Sequence, residues 1–338
     1  MKHYLYIIMC LFLLVSCEKE IGEFTDYESP RLVVNALITA GGEDQELRIH
    51  KTGVTLVEPV TGADVSLCVN GNEIYSTTTN GESSLIIHNN PIKPGDIVTI
   101  KAKKDDMLAS ATAEVPQPVI ITGIDTVSVN VKRYSWSDNL HPHTRYLVHL
   151  RLPGNIEQKV TQYFRVEIVK DLRTVGGMSN IDKDGNIVDQ YFIDFFNTDT
   201  DHSYFNYSYD PALCENENID QENMSVDFDW LDGVDNRYHV FRSEYFDNGE
   251  YTLRLDLPHP GSYSLGWEQD VRIRVYSISK FEYLYLQALA TAQYYEMDII
   301  SNSEPMIPSN VDGGAGIFCI ESVAEISFFE DHEIYQRR

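Results

Sequence analysis

The chain has 338 residues, of which 26 are Lys or Arg and 52 are Asp or Glu, giving a formal net charge of −26 at pH 7. This charge argues against binding to nucleic acid and against electrostatic docking on anionic lipid, because both need a surface of Lys and Arg. Hydrophobic residues make up 43% of the chain, enough to build a packed core, and the length predicts two domains.

The N-terminus has the pattern of a lipoprotein signal peptide. The apolar run from Leu5 to Val15 is eleven residues long, too short at about 1.5 Å per residue to cross about 30 Å of hydrocarbon. It ends at Ser16-Cys17, which resembles the lipobox of bacterial lipoproteins, in which the Cys sulfur is acylated. We therefore expect a signal peptide over residues 1–16, lipidation at Cys17 and a polar tether over residues 17–29. The alternative is an ordinary secretory signal.

The region that follows the tether is predicted to be a β-sandwich. Short strands with apolar and polar residues in alternation are separated by turn residues. The predicted strands are Leu32–Thr39, Glu46–Lys51, Ala63–Val69, Glu73–Thr79, Ser84–His88, Ile97–Lys103 and Ala109–Val115. Asn70-Gly71 favours a type I′ hairpin turn, because both residues tolerate positive φ. We expect an immunoglobulin-like sandwich over residues 30–117, which also resembles carboxypeptidase-regulatory-like modules.

Pro116-Gln117-Pro118 marks the predicted boundary, and residues 118–338 are expected to form a second β-sandwich-type domain. Its predicted strands are Val119–Val131, Arg145–Leu152, Tyr163–Lys170, Ile187–Phe196, Tyr251–Leu257, Val271–Ser277, Gly316–Ser322 and Ala324–Phe329.

One amphipathic helix is predicted at about residues 280–298. Its apolar positions follow a 3.6-residue period, and we expect this face to cover one side or end of the second sheet. The face consists of Phe281, Leu284, Tyr285, Ala288, Leu289, Ala292 and Tyr295. Ser279, with Glu282 three residues later, is typical of a capping box.

The cysteines allow at most one internal disulfide. With Cys17 acylated, the mature chain retains Cys68, Cys214 and Cys319. Cys214 and Cys319 lie in the same predicted domain and are the expected pair in an oxidising compartment. The alternative is three buried, inert thiols.

The segment from Asp184 to Asn236 contains fourteen Asp or Glu and no Lys or Arg. Aromatic residues are interleaved with the acids. The segment is either a strand followed by a long solvated loop or a surface for a ligand or partner, since loops on a rigid β scaffold often carry such sites. The residues of that surface would be Tyr204, Tyr207, Tyr209 and Trp230.

One segment matches the first positions of a calcium loop. Asn180, Asp182, Asp184 and Asn186 place oxygen ligands at alternate positions, as an EF-hand-like loop does. Tyr191 stands where such a loop needs a bidentate Glu, and an Asp-Gly hairpin turn explains the same residues. We expect no cofactor and, without a nucleophile, phosphate-loop or dinucleotide motif, no enzyme.

Two segments resemble a known family. Arg242–Leu253 (RSEYFDNGEYTL) and the C-terminal residues Ser303-Glu304-Pro305, Ile307–Val311 and Gly313–Phe318 are similar to the domain-of-unknown-function 4249 family of Bacteroidota outer-membrane lipoproteins. The glycine run at Gly313, Gly314 and Gly316 fits a tight turn into a final core strand.

The resemblance implies a lipid-anchored, non-enzymatic accessory or binding subunit that accompanies a TonB-dependent outer-membrane nutrient transporter. Charged residues directly after Cys17 resemble the surface-export signal of such lipoproteins, or they form a solvated linker. The alternative function is a stand-alone surface glycan- or peptide-binding lipoprotein that uses aromatic side chains such as Trp136, Trp230 and Trp267 as stacking platforms.

Overall fold

The computed structural model describes residues 29–333, apart from 43, 54–56, 83, 133–139, 155–159, 182–186, 200–209, 214–235, 259–263 and 298–306. Its strands are β1 (Leu32–Thr39), β2 (Gln45–Thr52), β3 (Val57–Pro59), β4 (Thr61–Val69), β5 (Asn72–Asn80), β6 (Leu85–Ile87), β7 (Ile97–Lys104), β8 (Met107–Glu114), β9 (Ile120–Lys132), β10 (Leu140–Arg151), β11 (Tyr163–Ile181), β12 (Ile187–Asp199), β13 (Val240–Arg242), β14 (Glu250–Pro258), β15 (Ser264–Ile278) and β16 (Ala315–Glu333). The helix α1 spans Lys280–Met297. In this part of the chain, no helix combines the length and the apolar character that crossing a bilayer requires.

The chain is mostly β, as predicted, and its N-terminal half forms a sandwich of two sheets. One sheet has the order β5-β4-β7-β8, and the other contains β1, β2 and the first half of β16. Their inner faces share one core, in which Leu67 and Ile100 of the first sheet meet Val34 and Phe318 of the second, all with no exposed surface. The assignment to an immunoglobulin-like fold stays a prediction.

The hairpin at the tip of this sandwich has the predicted turn. Asn70 and Gly71 have φ values of 50° and 82°, and Val69 pairs with Asn72, so two residues with positive φ close a two-residue loop. This is the type I′ geometry, whose twist matches that of the strands. The short strands β3 and β13 are found in addition to those that the sequence predicts.

β16 belongs to both halves of the molecule. Its residues 315–321 pair in parallel with β1, and its residues 322–333 pair antiparallel with β15. The two strands predicted at 316–322 and 324–329 are therefore one. The predicted boundary around Pro116 lies between the two cores, but the last strand completes the first sandwich and continues into the second, and the division of the chain into domains stays a prediction.

The second core lies between the β11-β15-β16 part of the large sheet and a three-stranded sheet of order β14-β10-β9. Alternate residues of each strand face inward, as period-2 strands require. Phe164, Val275, Val148 and Leu255 are each at most 1% exposed. The second half is thus also a sandwich of two β-sheets, as predicted.

The helix α1 covers the outer face of the large sheet, but with a different face from the predicted one. Tyr283 and Leu286 pack in a third cluster with residues of β13 and β15, whereas Leu284 is 46% exposed. Glu282, on the buried side, has no exposed surface. The prediction was wrong because the sheet beneath the helix combines apolar residues of β13 and β15 with the ion pair of Arg165 and Glu321, so the buried side of the helix is not its most apolar side.

Candidate functional site

Most of the predicted site residues lie outside the described residues. These are Cys17, Asp182, Asp184, Asn186, Tyr204, Tyr207, Tyr209, Cys214 and Trp230, and of Asn180 only the backbone is described. The predictions of lipidation and of an acidic, aromatic surface therefore stay predictions.

Strands on both sides of the proposed calcium loop pair with each other. Ile181, the last residue of β11, is the register partner of Ile187, the first residue of β12. This arrangement is the one that the hairpin alternative requires, whereas an EF-hand loop is flanked by helices. Among the described residues, no group of three or more His, Cys, Asp or Glu side chains is placed to hold a metal ion.

Cys319 is a buried thiol, and its predicted partner Cys214 lies outside the described residues, so the bridge between them stays a prediction. The Sγ of Cys319 lies 3.7 Å from Ser279 Oγ, at the start of α1. Burial raises the thiol pKa above its ordinary value. The thiol is therefore protonated and unreactive at neutral pH.

An open cleft of about 460 Å³ lies where the three-stranded sheet meets the segment before β14. Its lining combines aromatic, hydroxyl, imidazole and carboxylate groups. The lining residues are Thr122, His149, Leu150, Tyr245, Asp247, Glu250, Tyr251 and Thr252. Five of them fall within the family-like segment Arg242–Leu253, so this segment forms one wall of the cleft.

His149 is held in a fixed orientation on the floor of the cleft. Its Nδ1 lies 3.0 Å from Thr252 Oγ1 on the neighbouring strand β14, and its Nε2 lies 3.0 Å from Asp125 Oδ2 on β9. Both ring nitrogens are thus engaged with groups on the two flanking strands. The ring is therefore held in one orientation by the strands on either side of it.

A tight turn supports the two carboxylates of the cleft. Asn248 and Gly249 have φ values of 50° and 79°, and the backbones of Asp247 and Glu250 exchange two hydrogen bonds of 2.9 Å. Both side chains are exposed. The turn is the reason for the Asn-Gly pair in the family-like segment, because both positions need positive φ.

An aromatic cluster connects the cleft to the core. The rings of Phe164 and Phe246 are 5.5 Å apart, those of Phe246 and Tyr251 are 5.5 Å apart, and that of Tyr245 lies 6.3 Å from Tyr251. Phe164 is fully buried and Tyr245 is 40% exposed. The wall of the cleft is therefore an outward continuation of the core, which makes it rigid.

Asp210 stabilises this wall of the cleft from its buried side. Its carboxylate accepts hydrogen bonds from Tyr251 Oη (2.7 Å), the backbone N–H of Arg254 (2.7 Å) and that of Ala212 (2.8 Å). Burial raises the pKa of Asp210 although these three donors oppose the shift. Burial, followed by the charge of Asp210, raises the pKa of Tyr251, so the phenol stays a donor.

The cleft is equipped for binding. Its lining includes Asp247 and Glu250 and no Lys or Arg, so it favours a ligand that carries hydrogen-bond donors or positive charge, with the exposed ring of Tyr245 as a contact face. Sequence reasoning singled out neither His149 nor Thr252. His149 and Thr252 are far apart in the sequence, and no motif marks either of them. Only the register of β10 and β14 shows that they lie side by side.

The comparisons with known proteins give a family and no characterised relative. The family model described as "Domain of unknown function (DUF4249)" matches residues 18–327. No curated protein matches the chain.

Proposed function

Since the chain belongs to the DUF4249 family, with a match that extends over residues 18–327, we propose that it is a lipid-anchored, non-enzymatic accessory or binding subunit of a TonB-dependent outer-membrane nutrient transporter. The lipobox ending at Cys17 supports the anchor. The resemblance to outer-membrane lipoproteins supports the location and the partnership with a transporter.

The observation that carries the binding role is the cleft at the Asp247–Glu250 turn. It is open, it is built on strands, and it is lined by aromatic, hydroxyl, imidazole and carboxylate groups that can contact a ligand. We propose that it contacts either the transported nutrient or an extracellular loop of the transporter. In both cases the acids of the turn attract donor groups or positive charge on the ligand, and Tyr245 supplies a flat apolar contact.

The proposal is tested by purifying the natively processed protein with a C-terminal tag from gently solubilised outer membranes. The expected result is a β-barrel transporter recovered in a stoichiometric amount and identified by mass spectrometry. Recovery of the acylated protein alone would refute the stable-subunit role. A Cys17→Ala variant separates the two parts of the proposal, because it removes the anchor and leaves the cleft unchanged.

Two substitutions test the cleft itself. Tyr245→Ala removes the exposed ring, and Glu250→Gln removes one charge without changing the size of the side chain. Glu58→Gln is the matched control, because Glu58 is also an exposed acid but pairs with Lys51 in the first sandwich. We expect the cleft variants to lower the amount of co-purified barrel at least tenfold and the control to leave it unchanged. Equal recovery from all three would exclude the cleft as the contact.

The exposed ring of Tyr245 beside two carboxylates also favours the second function, a stand-alone glycan- or peptide-binding lipoprotein. Aromatic faces with neighbouring hydrogen-bonding groups are how proteins contact sugars and side chains of peptides. Saturable binding of a glycan or peptide to the purified protein without any barrel, lost in Tyr245→Ala, would establish this function instead.

A further inference from the structure

A ladder of charged and polar groups crosses the outer face of the large sheet beneath α1. Arg165 on β11 donates to both carboxylate oxygens of Glu321 on β16, at 3.0 Å and 2.8 Å. Thr39 Oγ1, at the end of β1, adds a third hydrogen bond of 3.0 Å to Glu321. The guanidinium of Arg165 also lies 3.9 Å from the centre of the Tyr276 ring. The carboxylate of Glu321 therefore accepts three hydrogen bonds although the residue is only 5% exposed.

Glu282 is a second carboxyl group at the same place, and it has no such donors. It has no exposed surface, and no described group donates a hydrogen bond to either of its carboxyl oxygens. Its backbone N–H is fixed by Ser279 Oγ at 3.0 Å, so half of the predicted capping box is present. The other half is absent, because the Glu282 side chain turns towards the sheet.

The surroundings of Glu282 oppose a negative charge on it. Burial, and then the negative charge of Glu321, raise its pKa well above the ordinary value of 4.5, and the attraction of Arg165 is the weaker effect. The helix N-terminus also favours the anion, by a small amount. Cys319 on β16 does not stabilise a negative charge on Glu282, because its buried thiol is neutral. On α1 itself, burial raises the pKa of the Tyr285 phenol, so this side chain adds no charge.

We propose that α1 is docked on the sheet through the neutral carboxyl group of Glu282, and that ionisation of this group releases the first turn of the helix. An ionised carboxylate without hydrogen bonds is not stable in such a site. The helix must then open so that the group reaches water. The site is a pH-sensitive latch beside the end of β1, where Ala40 N–H donates to the carbonyl of Glu321 at 2.8 Å.

The direction of the pH dependence follows from the protons bound. In the docked helix, Glu282 keeps its proton. In the released helix, Glu282 is exposed to water and loses this proton above pH 4.5, which is the ordinary pKa of a glutamate side chain. Docking is therefore strongest at acidic pH and weakens as the pH rises towards the pKa of the docked form. Within this window the opening equilibrium shifts towards release by about tenfold per pH unit.

Amide hydrogen exchange of residues 280–290 in the full-length protein tests the proposal. Wild type and Glu282→Gln are compared at the same pH between 5 and 9, so that the intrinsic pH dependence of exchange cancels. The opening equilibrium constant of the helix in wild type is divided by that in Glu282→Gln. We expect this ratio to grow as the pH rises, by up to about tenfold per pH unit. Glu325→Gln is the control, because Glu325 pairs with Arg274 on the same sheet face but is exposed, and it should follow wild type.

A ratio that stays constant from pH 5 to pH 9 would overturn the proposal. If Glu282→Gln does not fold, the wild-type protein gives an independent answer. Infrared spectra of protein with isotope-labelled glutamate should contain the band of one protonated carboxyl group at pH 7, and this band should disappear on unfolding. Absence of the band in the folded protein would overturn the proposal as well.

Discussion

Replacement of Gly316 by Ala should weaken the contact between the two ends of the chain. Gly316 is the second residue of β16 and the register partner of Val34 on β1. Its φ is 106°, a conformation that L-residues rarely adopt. A Cβ added there would overlap the carbonyl oxygen of Val34 and would lie 2.7 Å from Asn35 Oδ1.

The expected loss of stability is the sum of two effects. Positive φ costs an Ala residue about 1–2 kcal/mol. The overlap adds about 1–3 kcal/mol, the usual cost of overpacking. The upper end applies to this overlap, because β1 is hydrogen-bonded to β2 on one side and β16 on the other and cannot move away. We therefore expect a decrease of about 4 kcal/mol in the free energy of unfolding, a large part of the stability of an ordinary domain.

Urea unfolding followed by far-UV circular dichroism measures this loss, and Gly41→Ala is the matched control. Gly41 also has a positive φ, of 67°, but a Cβ there would meet no atom within 4 Å. Its replacement should lose only the conformational part, about 1–2 kcal/mol. If the two variants lose the same free energy, the close approach of β16 to Val34 does not stabilise the fold, and the reasoning is refuted.

Three further outcomes are expected from buried polar groups. Tyr251→Phe should lower the free energy of unfolding by about 2 kcal/mol, measured in urea, because it removes one of three donors from the buried carboxylate of Asp210. A variant as stable as wild type would contradict this role. Arg145→Ala should cost about 3–5 kcal/mol, since it leaves Asp256, whose side chain has no exposed surface, without its bidentate partner at 2.6 Å and 2.7 Å. Restored stability in Arg145→Ala combined with Asp256→Ala would confirm the reason. Cys319 should resist alkylation by iodoacetamide at pH 7.5 in the folded protein and react on denaturation, because burial raises the pKa of its thiol; rapid labelling of the folded protein would show that the site opens.

The strands of the first sandwich could be predicted from the sequence because local rules determine them. β1 has the predicted bounds, and the turn at Asn70-Gly71 has the predicted type. In these segments, alternation of apolar residues, turn residues and strand pairing all agree. Pairing between distant segments could not be predicted, and β16 is the example. Nothing in its composition indicates that residues 315–321 pair with the first strand of the chain.

The helix and the cleft show a second limit of sequence reasoning. The bounds of α1 were predictable within one residue at its C-terminal end, because a capping residue and a helical period suffice. Its buried face was not predictable, because Tyr283 and Leu286 pack against residues of β13 and β15 that lie far away in the sequence, and this contact buries Glu282 as well. His149 and Thr252 likewise form a pair only through the register of β10 and β14.

The course of β16 has a consequence for the order of folding. In a chain that emerges from its N-terminus, β1 to β8 are available early, but the sheet that contains β1 lacks residues 315–321 until β9 to β15 and α1 have emerged as well. The partners are separated by 282 residues at Asn35 and Ile317, so closure of this sheet is a contact of very high sequence separation and is intrinsically slow. The first sandwich should therefore stay incomplete until residues 315–321 arrive, and the parallel pairing of β16 with β1 should be a late step that completes both cores together.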